Sequence, residues 1–449
     1  MNRTHRPLER FSAGQAPAHE RHDSAAAAMA GRLIFYVTLA VCVVFPHSFQ
    51  IVTGALVIAT AAAGFLATRS DRTISYVGIC YLLSAVVTLP YLVVGMQNRA
   101  PPEAIPQVLI VYLISPLLWI VIWRFALQQI DVDRVVRYLT ILTWVACASA
   151  GLFFFLFLTF GPQAVSMFLD PRQANVRIED GAAGATLLVY GSLIFLASAV
   201  FATPEAIKSV PERIGLLSVV AITAVTSGRT ALMLAIPIGF AIGLASRSFQ
   251  QRGVRRTSTG GMGILSYLAV IVIGVAAVMI VLGEARTGIN LGIVVEEAWE
   301  EIASLGGDAR QGQSIALWEG VERTNALGAG HGIGVSIIRD PDYPWRYENI
   351  PMATAYRVGV VGAFIYFLPF LIYLVGTASR LFRGRTTRAE TFVFAGAVSA
   401  LLALPTNPYI ESFIFQWMYI LPLILFDLQR RRTLEPPARA AIHSTAKGS

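Results

Sequence analysis

Short polar connectors cut this chain into apolar runs of about 20 residues, and that pattern leaves few folds open. A run of that length crosses a bilayer as a helix. In hydrocarbon every backbone N–H and C=O must be paired within the protein, which a helix achieves locally. We read twelve spans: 33–48, 50–68, 74–96, 104–123, 138–161, 182–202, 213–227, 229–246, 264–283, 352–376, 391–404 and 411–427. Only 14% of the 449 residues are charged, against about a quarter in soluble domains. The expected fold is all-α, a polytopic transmembrane helical bundle of about 12 spans.

Basic residues set the orientation. With the N-terminus inside, the inner tails and connectors hold 25 of the 35 Lys and Arg, as the positive-inside rule requires. Both termini are then cytoplasmic. The net charge of +8 is thereby explained without nucleic acid as a partner. Residues 1–32 carry Arg3, Arg6, Arg10, Arg21 and Arg32 and lack the apolar core of a signal peptide. They read as a disordered cytoplasmic tail, and 428–449 as a second cytoplasmic tail. Between them lie an N-terminal transmembrane region (33–283, spans 1–9), a long outer loop (284–351) and a C-terminal region (352–427, spans 10–12). Cys42, Cys80 and Cys147 fall inside apolar spans without CxxC spacing and read as small core residues.

The loop 284–351 is too long for a simple connector and is expected to be partly helical. One amphipathic stretch surrounds Ile293, Val294 and Trp299, with Glu296, Glu297, Glu300 and Glu301. A second helix is expected from Asp308, an N-cap, to Ala326, with Ile315, Leu317, Trp318 and Val321 as apolar contacts. Gly328 would follow as its C′ residue. Tyr343, Trp345 and Tyr347 read as an interfacial aromatic belt ahead of the tenth span.

Charge near these spans marks candidate chemistry. Arg229, in Ser227-Gly228-Arg229-Thr230, sits at the junction of two spans with apolar sequence on both sides. A cation there is costly and implies function or pairing. The chain has only two lysines, Lys208 and Lys447, whereas arginine grips phosphate oxygens with a planar fork. Arg229 and Arg310 are the first candidates for a diphosphate clamp. Arg172, Arg177, Arg323 and Arg357 come second, each with a structural alternative as an interfacial anchor or the partner of an acid such as Glu179 or Glu322. The run Gly328-Ala329-Gly330-His331-Gly332-Ile333-Gly334 follows a helix, not a strand, so it reads as a tight turn that lets substrate or another helix approach closely. His331 within it is a candidate proton acceptor, against a structural histidine. Glu348, followed by Asn349, is a candidate general base, against an interfacial acid paired with Arg346 or Arg357. Asp340 and Asp342 match no metal spacing, and no metal or cofactor is expected.

Three segments taken together resemble the O-antigen ligase/polymerase superfamily of bacterial envelope glycosyltransferases. They are Thr226-Ser227-Gly228-Arg229-Thr230-Ala231-Leu232; Arg310 with Trp318 and then Leu327-Gly328-Ala329-Gly330; and Glu348-Asn349 with Gly359-Val360-Val361-Gly362. The resemblance covers about residues 210–380. It departs from the ligase pattern at Glu348, where a His stands, and at Arg357, where an acid stands, and Arg310 lies farther from the Trp than is usual. The loss of His favours a polymerase over a ligase. The resemblance implies a GT-C-like bundle in the bacterial inner membrane with its active site on the periplasmic face. It implies a metal-independent, inverting transfer between undecaprenyl-diphosphate-linked glycans, with membrane lipids, a flippase and a chain-length regulator as partners. Arg229 and Arg310, with Arg357, Arg172 and Arg177 in support, would hold the diphosphate. Glu348 or His331 would act on the acceptor hydroxyl, beside the substrate-loop residues Gly328, Gly330 and Asn349. A ligase passing the glycan to lipid A-core or protein, and a transporter of the same lipid-linked glycan, stay open as alternatives.

Overall fold

A computed structural model describes residues 18–46, 49–67, 75–161, 175–179, 182–187, 189–251, 293, 296, 307–338 and 343–434. Arg172, the ninth expected span at 264–283 and most of the first amphipathic stretch lie outside them. Helices dominate: α1 (Ala18–Val44), α2 (Gln50–Ala67), α3 (Tyr76–Gln97), α4 (Ala104–Leu109), α5 (Ser115–Gln129) and α6 (Val132–Phe160). After a short ribbon come α7 (Val189–Ala202), α8 (Val210–Ser227), α9 (Thr230–Gln251), α10 (Gly307–Arg323), α11 (Ile350–Phe382), α12 (Arg388–Leu402) and α13 (Trp417–Leu434). Among the described residues, seven helical segments are long and apolar enough to cross a membrane. This is a helical membrane-embedded protein.

Local chemistry sets the helix ends. Asp131 caps α6, Asn349 caps α11, and Thr387 forms a reciprocal capping box with Glu390 at the start of α12. Gly228 ends α8 in the left-handed region at φ 60°. Two expectations of extent change. α1 begins at Ala18, inside the segment read as a disordered tail, and runs through the alanines 25–28, which are strong helix formers. The sixth span begins at Val189, because 182–186 forms β2 (Ala182–Thr186), antiparallel to β1 (Asn175–Glu179).

The outward faces carry apolar side chains. Phe65 is 75% exposed and Leu66 82%, so lipid rather than water is the medium they suit. The inward stripe of α2 is Thr53, Val57, Thr60, Ala61 and Gly64, the spacing of one helix face. Thr60 hydrogen-bonds Thr38 of α1 at 2.7 Å. In such a setting helices associate through close packing and polar contacts, since lipid tails are as apolar as the side chains they would leave. The innermost helix is α7, with every residue buried. α9 meets it through Gly239 and Gly243, where a Cβ would strike the carbonyls of Ser198 and Ala202. α12 packs on both.

α11 is broken. Gly359 stands at φ 71°, ψ 169°, far from helical values. The Tyr356 and Arg357 carbonyls, freed from the helix, accept from the amides of Ala329 and Gly330 at 2.8 and 2.9 Å, and the Val360 amide donates to Ala326 O at 3.0 Å. The glycine-rich loop thus supplies the bonds that the helix gives up. This is the way irregular backbone persists at membrane depth. A Cβ on Gly359 would lie 2.6 Å from Ala326 O. Gly359→Ala should therefore destabilise the fold by about 1–3 kcal/mol, read as a lower midpoint of thermal unfolding in detergent, whereas Gly151→Ala, inside α6 with open space around it, should not lower the midpoint, since alanine is the better helix former.

Candidate functional site

The loop after α10 is strapped between α3 and α11. α10 ends through Asn325 and Ala326, both at positive φ (50° and 59°), so the left-handed turn falls before Gly328, which was expected to provide it. Gly328 and Gly330, each at φ 95°, instead press their backbones against Gly359 and Gly95. The close approach foreseen for this run is made to helices. Tyr91 donates to Leu327 O at 2.6 Å, Asn98 Nδ2 to Ala329 O at 2.8 Å, and the His331 amide to Tyr91 O at 2.9 Å. His331 is thereby carried into the bundle and is 1% exposed.

His331 meets a buried charge cluster. Arg357, 3% exposed, forms an ion pair with Glu411, from the turn before α13. Arg357 also donates to Trp345 O at 2.6 Å and to the Tyr112 hydroxyl at 3.2 Å. The Tyr347 ring lies under its guanidinium at 5.9 Å. Tyr112 donates to Glu411 Oε1 at 2.6 Å. Tyr112 belongs to a π-helical turn, Ile110–Ile114, between α4 and α5. Gln416 holds that turn: its Nε2 donates to Val111 O at 2.7 Å, and its Oε1 accepts from Ser115 Oγ at 2.7 Å. π-turns are frequent at functional sites. His331 Nε2 lies 3.2 Å from the Tyr366 hydroxyl, which meets Thr88 at 2.7 Å. Burial, and secondarily the Arg357 charge, push the imidazole down from its ordinary 6.5 to about 3. His331 is therefore neutral and a poor proton acceptor, which counts against it as the base.

Two cavities adjoin this cluster. A largely apolar cleft with about 860 Å³ of empty space, part of it open to the exterior, runs between α3, α5, α11 and α13. Tyr112, Glu411, Gln416 and Thr354 are among the polar residues on its wall. A smaller pocket of about 260 Å³ is lined by Gln107, His331, Trp345 and Arg357. Val111, Tyr112 and Glu411 line both and form the partition between them.

The candidates named from sequence divide. Arg310 and Glu348, assigned there to separate tasks, form an ion pair with each other. The pairing is thus neither of the two, Arg346 or Arg357, considered for Glu348. The Glu348 amide is fixed by Gln313 Oε1 at 3.0 Å, and Ile350, two residues on, lines the cleft. Asn349, taken as a substrate-loop residue, is the helix cap, accepting from the Met352 amide at 3.2 Å and reaching Ser314 at 3.1 Å. Arg357, taken as a phosphate ligand, is consumed by Glu411 and Trp345. Arg229 is half-buried, and its amide donates to Ser227 Oγ at 3.0 Å. Gly191, next to Tyr190, packs on Tyr409 and Phe415, in the segment that carries Glu411. Among the described residues no group links Arg229 to Arg310. The Arg177 backbone lies in β1 opposite Gly184.

The aromatic belt is also corrected. Trp345 and Tyr347 are buried at 4% and 0%, and only Tyr343 is exposed. Trp345 Nε1 donates to Gln107 at 2.8 Å. On α10, Leu317 and Val321 are buried as expected, but Ile315 and Trp318 face outward, each 53% exposed. Sequence reasoning missed Glu411, Tyr112 and Gln416. One signal was present: Arg357 inside a span demands an acid, and Glu411 is one of few near the last three spans.

No protein-family model matches the sequence, and no curated protein matches it.

Two measurements bear on this cluster. Removing one member of a buried ion pair leaves an uncompensated charge, so Glu411→Leu should cost about 3–5 kcal/mol. The double variant Arg357→Met/Glu411→Leu should recover most of that in detergent unfolding. For His331 the folded value lies below the unfolded one, so its contribution is complete above pH 6.5 and is lost as pH falls toward about 3. Each pH unit in that window costs about a tenfold change in the folding equilibrium. Wild-type protein should lose more stability than His331→Gln between pH 7 and pH 5.

Proposed function

We propose that this chain is an inner-membrane glycosyltransferase of polymerase type. It joins oligosaccharide repeat units carried on undecaprenyl diphosphate, at the periplasmic face. The observation that carries the reading is the apolar cleft with Tyr112 and Glu411 on its wall, Glu411 being paired with Arg357 behind it, and with Glu348, the partner of Arg310, two residues before the wall residue Ile350 in the sequence. An apolar channel with polar groups on its wall suits a substrate with a long hydrocarbon carrier and a polar head. The activated glycosidic bond arrives with that carrier, so no nucleotide sugar is required. The acceptor hydroxyl attacks the anomeric carbon with inversion, and the diphosphate departs with the bonding electrons. Guanidinium groups near the leaving group stabilise the charge that develops there. Arg229 and Arg310 are the residues we propose for that task; neither lines the cleft itself. A flippase would supply the donor and a chain-length regulator would set the product size.

A ligase of the same chemistry differs only in acceptor. Deletion separates the two: loss of a polymerase leaves single repeat units on the surface, and loss of a ligase leaves long chains on the carrier. A transporter of the lipid-linked glycan is a second reading, favoured by the broken helix at Gly359 and the buried ion pair beside it. Purified protein in liposomes with lipid-linked oligosaccharide decides: new glycosidic bonds support the enzyme, and movement across the bilayer without bond formation supports the transporter.

Arg229→Lys keeps the charge and loses the fork. Polymer yield should fall in that variant, and wild-type yield would remove Arg229 from the mechanism.

A further inference from the structure

The reaction above needs a group that takes the proton of the acceptor hydroxyl, and neither residue first considered for it suits. His331 is buried and held neutral, and it lines only the small pocket. Glu348 lines neither cavity, whereas Glu411 lines both.

We infer that Glu411 is the catalytic base, with its Oε2 facing the cleft, and that Tyr112 and Arg357 are positioning residues that hold its other oxygen. The inference rests on the glycosyl-transfer reading and deepens it. Among the described residues, Glu411 is the one carboxylate on the wall of the cleft. Both of its donors converge on a single oxygen: Arg357 Nη1 and the Tyr112 hydroxyl meet Oε1. Among the described residues no donor meets Oε2. The carboxylate is thus clamped on one side and open on the other, the arrangement a base needs in order to reach a hydroxyl without rotating. The clamp is itself braced. Arg357 is fixed by Trp345 O, and Tyr112 by the π-turn that Gln416 secures. Arg357 lines only the small pocket, behind Glu411, so it orients the carboxylate and is not placed to touch a substrate in the cleft.

The step balances. The acceptor O–H proton passes to Glu411 Oε2 as the oxygen bonds to the anomeric carbon. The bond from that carbon to the diphosphate oxygen breaks, and its electron pair leaves with the lipid diphosphate. Glu411 then releases its proton to solvent. The substrate class that follows is a sugar hydroxyl presented to the polar wall residues of an apolar cleft, beside the carrier chain.

The experiment uses purified full-length protein in liposomes, with lipid-linked oligosaccharide extracted from a deletion strain of its own host. Bond formation is followed by initial rates, and donor retention by native mass spectrometry. Glu411→Gln should lower kcat about 10²–10⁴-fold, with donor retention unchanged, and Glu411→Asp should recover part of the rate. Tyr112→Phe leaves the ion pair intact and should lower kcat about tenfold, again without loss of donor. Glu348→Gln should lose less turnover than Glu411→Gln. A wild-type rate in Glu411→Gln overturns the inference. So does a rate loss matched by an equal loss of donor retention. Should Glu411→Gln fail to fold, Tyr112→Phe decides alone, and a wild-type kcat there overturns the inference. Absence of any bond formation by wild-type protein removes the glycosyl-transfer reading itself, a failure distinct from an active enzyme indifferent to Glu411.

Discussion

A guanidinium and a carboxylate, both taken out of solvent, organise this protein. Isolated charges of that kind cost several kcal/mol each, and they persist only when geometry and extra hydrogen bonds offset the loss. Arg357 and Glu411 meet that condition through Tyr112 and the Trp345 carbonyl. The partners come from four separate stretches of chain: the π-turn, the loop before α11, α11 itself and the turn before α13. Satisfying one pair therefore fixes how these pieces meet, and the cavities on either side of Glu411 are shaped as a result.

The broken helix belongs to the same logic. Had α11 continued through Gly359, its own backbone bonds would have closed and the glycine-rich loop would have had no place to attach. The break opens two carbonyls, the loop fills them, and His331 arrives next to Tyr112 and Tyr366. His331 serves there as a neutral polar plug. Its ring packs 4.8 Å from that of Tyr112, which adds a wall to the side of the cluster away from the cleft.

Hydropathy made the helices legible, because a run such as 352–376 can do little but cross a membrane or lie deep in a core. It could not tell which faces meet protein and which meet lipid. The same leucines and phenylalanines serve both, so α7, buried on every side, looks in sequence like its neighbours. The aromatic residues ahead of α11 show the same ambiguity. Trp345 and Tyr347 carry the composition of an interfacial belt, yet they support Arg357. The candidate site was partly legible. Arg357, His331 and Glu348 were singled out from charge and position, while the partner that gives Arg357 its meaning lies 54 residues further along the chain. The π-turn left no trace in composition, since Ile110–Ile114 is as apolar as any ordinary helical segment.

That turn has a geometric result. An α-helix advances about 100° per residue, and a π-turn accommodates one residue more than the regular spiral would. The two sides of Ile110–Ile114 are therefore out of phase. Before it, Ala104 and Val108 are buried; after it, Ser115, Trp119, Ile120, Ile122, Trp123, Phe125, Ala126 and Leu127 are, and the indoles of Trp119 and Trp123 donate to carbonyls of Phe413 and Trp417. One continuous rod thus carries Tyr112 to the polar cluster and, further along, the two tryptophans to the packing core. The tryptophans that anchor the rod stand apart from the wall that Tyr112 forms, since neither indole lines the cleft.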